Sequence, residues 1–98
     1  MTSEINKDEL TKKMSDNLLV LRNKLRLKQA ELAEKVGISR QTLLEIEKGK
    51  RAMQWNTFVA LLAVFRADGS TSDLLEYFGI YTPELGRYLV SPESTDSK

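Results

Sequence analysis

Ninety-eight residues, 41% hydrophobic and 30% charged, define one domain with a single modest core. The formal net charge is +1 and neither cysteine nor histidine occurs, which removes disulfides, thiolate chemistry, the usual zinc ligands and a histidine general base. No run of about 18 apolar residues is present, and MTSEINKDELTKK lacks the apolar stretch of a signal peptide, so a cytoplasmic protein with no membrane association, metal or cofactor is expected.

Leu10, Met14, Leu18, Leu21 and Leu25 recur in steps of three and four and form one stripe of a helix. Ser15 and Asp16 offer a later start, so residues 1–14 are an N-terminal extension that either stays loose or continues into this helix. Gln29 to Val36 reads as a second helix, with Leu32, Ala33 and Val36 inward. Ser39 makes a good N-cap for a third helix, where Leu43 and Ile46 form the inward pair and Gly49 is placed to end it. Trp55 to Phe65 is almost wholly apolar and is expected to be the most buried helix. RADGST signals a turn, Ser70 to Ser72 offer the next cap, and Asp73 to Phe78 form a short fifth helix. GIYTPELGRYLV follows, then a polar tail, SPESTDSK, expected to be disordered. Strand-like alternation is absent, and the expected fold is all-α with five helices. The chain divides into a domain over 15–78, an apolar segment over 79–90 and the tail over 91–98.

Charge is unevenly spread. Residues 22–51 hold nine bases against four acids, a balance of +5, whereas the segments before and after carry −1 and −3. Such asymmetry points to a polyanionic partner, although a solvated basic face produces the same pattern.

Only Gly37, Ile38 and Ser39 separate the second and third helices. So short a link sends the third helix off at a steep angle, and glycine supplies the positive φ it needs. Ile38 can fold back as an apolar plug, and Ala33 lets the helices approach. A helix-turn-helix meets these requirements; an ordinary αα-hairpin is the alternative.

QAELAEKVGISRQTLLEIEKGKR resembles the helix-turn-helix of the phage Cro and lambda-repressor type, the XRE family. The likeness runs over about residues 17 to 78. It rests on Arg22, on Gln29, Leu32 and Ala33, on Gly37-Ile38-Ser39, and on Ile46-Glu47 with Gly49-Lys50. It implies a five-helix, lambda-repressor-like domain whose third helix lies in the DNA major groove. Arg40, Gln41, Leu44 and Glu45 then face base edges: Arg40 suits guanine, Gln41 adenine, and Leu44 a thymine methyl. Glu45 either accepts from a cytosine amino group or pairs with Lys48. Gln29 and Ser39 match positions that hold phosphates at helix N-termini. Lys28, Lys48, Lys50 and Arg51 are further phosphate contacts, which set affinity and register rather than sequence choice. Arg22 and Glu47 match a structural salt bridge, and Trp55 is assigned to the core or its rim. The chain departs from the family at Lys28, where a capping residue is usual, at Met53, where proline often stands, and in the long link RADGSTS.

Tyr77, Phe78, Tyr81, Leu85, Tyr88 and Leu89 give the C-terminal part much apolar surface. Either it wraps back over the domain or it forms a homodimer interface, where tyrosine is enriched. A dimer on a palindromic operator doubles the base contacts of one reading unit. The expected function is a sequence-specific transcriptional regulator, a repressor, binding double-stranded DNA. The alternative is an antitoxin-type or restriction-modification controller protein that autoregulates its operon and binds a protein partner. An enzyme has no site to rest on.

Overall fold

The computed structural model describes residues 5–91. The described residues form six α-helices and no strand: α1 (Lys7–Lys24), α2 (Gln29–Val36), α3 (Arg40–Glu47), α4 (Trp55–Arg66), α5 (Gly69–Tyr77) and α6 (Pro83–Val90). The expectation of a disordered tail falls, from residue 92 onward, outside them.

Helix α1 starts eight residues before Ser15, because Asn6 caps it by accepting a hydrogen bond from the Glu9 amide at 3.0 Å. This early start places Leu10 and Met14 in the core beside Leu18 and Leu21. Beyond the C-cap Leu25, the chain leaves α1 through Arg26, which adopts a left-handed conformation at φ 58°. The Leu27 amide there bonds back to the Arg22 carbonyl at 3.2 Å and the Arg26 amide to Asn23 at 3.0 Å. That pair of bonds closes a helix end in the way usually given to glycine.

Helix α4 packs against α1, α2 and α5, and its Phe58, Leu61, Leu62 and Phe65 are buried. Its apolar face thus forms the floor on which α1, α2 and α5 pack, and α3 is held in turn by α1 and α2. Met53, in the place of the expected proline, is buried too and closes the loop before α4.

Three expectations about the C-terminal half are corrected. The link after α4 is short, because Asp68 and not Ser70–Ser72 caps α5, accepting from the Ser70 amide at 3.0 Å. A carboxylate accepts a helix amide more strongly than a hydroxyl. Thr71 is then drawn inside the helix, fully buried, with its hydroxyl donating to the Phe65 carbonyl at 2.5 Å. The helix count is six, not five, because Thr82 caps a further helix by accepting from the Leu85 amide at 3.1 Å, with Pro83 in the first turn. Leu85 of α6 is completely buried. It is a core residue, so its assignment to a dimer interface is corrected.

Candidate nucleic-acid interface

The left-handed Gly37, at φ 79°, ends α2. Its amide bonds to the Glu34 carbonyl at 3.3 Å and the Ile38 amide to Ala33 at 3.0 Å, which reverses the chain within one turn. Ser39 then starts α3, its hydroxyl oxygen accepting from the Thr42 amide at 3.0 Å. With Ala33, Leu43 and Ile46 buried, the two helices are locked at the turn, and α2 and α3 pack directly on each other.

Two bonds from Arg22 fix the far end of α3, and a third anchors Arg22 itself. The Arg22 Nε lies 2.6 Å from Glu47 Oε2, its Nη2 donates to Oε1 at 3.2 Å, and its Nη1 donates to the Leu27 carbonyl at 2.9 Å. Both side chains are nearly sealed from solvent, at 10% and 5% exposure, so this ion pair is part of the frame. Arg22 therefore has its donors committed inward. Ser15 of α1 donates to the Ile46 carbonyl at 2.8 Å, a second tie that composition and spacing did not reveal.

Arg40 and Gln41 open α3 and are exposed; Leu44 and Glu45, a turn on, are half-exposed. Arg40 makes no hydrogen bond or ion pair among the described residues, so its guanidinium is available. Glu45 does not pair with Lys48, a correction to one of the two expectations for it. Instead it accepts from Arg51, whose Nε and Nη2 both reach Oε1, at 2.8 and 2.7 Å, and from Gln41 Nε2, which reaches Oε2 at 3.1 Å. The reason is geometric. Gly49, at φ 75°, turns the chain back so that the Lys50 amide reaches the Glu45 carbonyl at 2.8 Å, and this returns Arg51 to the face of Glu45. The Gln41 hydrogen bond, followed by that from Arg51, holds the Glu45 carboxyl below the usual carboxylate range.

Lys48 and Lys50 are exposed and unpaired among the described residues. Gln29 is turned partly inward, its amide donating to Glu47 Oε1 at 3.3 Å. Lys28 offers no acceptor to cap α2, but its own amide donates to Glu31 at 2.7 Å, which supplies the reciprocal half of a cap. With Arg22 and Arg51 neutralised by glutamates, seven bases and only Glu31 and Glu34 remain over residues 22–51, so the free charge around the turn is still +5.

A family model described as a helix-turn-helix domain matches residues 15–75, more than half of the chain. The chain belongs to the helix-turn-helix domain family. It is thus a helix-turn-helix DNA-binding protein. Comparison with curated proteins and with solved structures gave no match. The helix-turn-helix unit proper is α2, Gly37–Ser39 and α3, and α6 lies beyond the matched span. Among the described residues of this helix-turn-helix protein no helix is long and apolar enough to cross a membrane, and no cluster of acids is placed to hold a metal ion.

Trp55 stacks on Phe58 with ring centroids 4.7 Å apart and meets the Tyr88 ring edge-on at 6.4 Å. The Lys7 ammonium sits 5.0 Å from the Trp55 ring and 5.4 Å from Tyr88. This cluster joins the start of α1 to α4 and α6, a contact that sequence spacing gave no sign of. Of the other residues expected at a dimer interface, Tyr77 is 83% and Leu89 39% exposed, while Phe78, Tyr81 and Tyr88 are half-buried.

Proposed function

We propose that this protein is a sequence-specific transcriptional regulator acting as a repressor, which reads the major groove with α3. The observation that carries the reading is the free, exposed Arg40 beside Gln41 at the start of a helix locked at both ends. A rigidly held helix presents its base-reading groups without an ordering cost at the moment of binding. Leu44 extends the reading face one turn further, and Glu45 supports it through its bond to Gln41. Ser39, Lys28, Lys48 and Lys50 hold phosphates, with Gln29 adding to this from its intramolecular bond. The packing of α4 on α1, α2 and α5 supports a lambda-repressor-like, XRE-type arrangement for the first five helices.

The operator is palindromic and the protein a cytoplasmic homodimer, with half-sites about one helical turn, ~34–36 Å, apart. Exposed Tyr77 and Leu89 support self-association through α5 and α6. Quantitative binding to an operator selected from random duplexes tests the reading. Arg40→Ala and Gln41→Ala should reduce discrimination between operator and unrelated DNA by roughly 5- to 150-fold each, with helicity unchanged. Wild-type discrimination in both variants would refute it.

A further inference from the structure

The bonds around Glu45 decide which way the Gln41 amide faces. A charged carboxylate only accepts hydrogen bonds, so the group Gln41 turns toward Glu45 must be its NH2 and not its carbonyl. Gln41 is left with one N–H and its carbonyl oxygen, a donor beside an acceptor. Adenine offers N7 as acceptor and N6 as donor, which complements that pair; guanine offers two acceptors, N7 and O6, and does not. A glutamine with no such neighbour is free to turn over and meet other edges.

Arg51 makes this arrangement tolerable near phosphates. Its Nε donates to Oε1 and its Nη2 lies 2.7 Å from the same oxygen, so the guanidinium cancels the charge that a phosphate backbone would repel. Gln41 takes one position of Oε2.

On the reading that α3 faces base edges, we infer that Glu45 and Arg51 are positioning residues: they fix the Gln41 carboxamide in the orientation that selects adenine over guanine. Arg51, expected as a phosphate contact, acts here through Glu45.

Selection of bound duplexes from a randomised pool, carried out with the full chain, tests this. The wild type should enrich adenine over guanine at one operator position by roughly 5- to 150-fold, and Gln41→Ala should abolish that preference. Glu45→Gln gives Gln41 a neighbour that both donates and accepts, so the adenine-to-guanine ratio at that position should fall by about fivefold or more while other positions keep theirs. Arg51→Ala should act in the same direction, and Arg51→Lys, which keeps the charge, should restore part of the ratio. An unchanged ratio in Glu45→Gln and Arg51→Ala overturns the positioning role alone, as does an equal loss at every position. If Gln41→Ala changes no position, base reading by Gln41 fails and the positioning role falls with it.

Discussion

The hydroxyl oxygen of Tyr81 occupies the space beside Gly86 so closely that a Cβ on residue 86 would lie 2.7 Å from it. Tyr81 is half-buried and its ring carries the Arg66 guanidinium at 3.8 Å, so moving it aside costs those contacts. Glycine inside α6 is ordinarily a weakness, costing about 1 kcal/mol relative to alanine. Gly86→Ala should therefore bring no gain in the wild type, and a lower melting temperature. In a Tyr81→Phe background the nearest atom recedes to 3.4 Å, and the same substitution should stabilise by about 1 kcal/mol. Equal effects of Gly86→Ala in both backgrounds, measured by thermal melting, would contradict the close approach.

Removing one partner from the Arg22–Glu47 pair leaves a charge buried without compensation. Glu47→Ala should destabilise the fold by about 3–5 kcal/mol. Replacing both, as Arg22→Met with Glu47→Leu, should cost far less than the single change. Denaturant unfolding of the three variants checks this, and additive losses would show that the two side chains act independently.

Arg26 carries a backbone conformation that glycine adopts without strain. Arg26→Gly should raise unfolding stability by about 0.5–1 kcal/mol, the relief of left-handed strain less the extra freedom of the unfolded chain. The measurement is a urea midpoint at moderate salt; a fall in the midpoint would contradict the assignment of strain.

The Asp68 carboxyl is held below its ordinary value of 3.8, first by the Ser70 hydroxyl and then by the Ser70 amide. A depressed folded-state value means that its contribution is complete above 3.8 and is lost as pH falls through the lower folded value. Asp68→Asn keeps a capping group but removes the titration. The difference in melting temperature between wild type and variant should be constant near neutrality and should change in favour of Asn as the pH drops below that range.

Self-association is best tested at the surface. Truncation at Gly79 would remove Ile80 and Leu85, both completely buried, and so would damage the fold. Tyr77→Ser with Leu89→Glu alters only exposed positions. Sedimentation at high micromolar concentration should show a dimer for the wild type and a monomer for the double variant. A monomeric wild type ends the dimer proposal.

The turn at Gly37 was legible because its signals are local: a residue able to take positive φ, a capping serine, and apolar residues at fixed offsets. Helix α6 carried equally local signals in Thr82 and Pro83, but Gly86 in its interior weakened the helical pattern. The start of α5 was ambiguous because Asp68, Ser70, Thr71 and Ser72 are all competent caps within five residues, and only the end of α4 decides among them. The partner of Glu45 was hidden for another reason. Spacing along a helix favours Lys48, yet Lys48 is already the C-cap, and the left-handed Gly49 carries Arg51 back instead. The Ser15 bond to Ile46 and the Lys7 contact with Trp55 join residues distant in sequence, which no periodicity encodes.

Trp55 is the only tryptophan in the chain, and it is enclosed by Phe58, Tyr88 and Lys7, residues from three different helices. Its fluorescence is therefore an internal gauge of docking. If α6 or the first turn of α1 frays before the rest melts, emission will shift while far-ultraviolet dichroism holds. The protein then reports its own local opening without an added label.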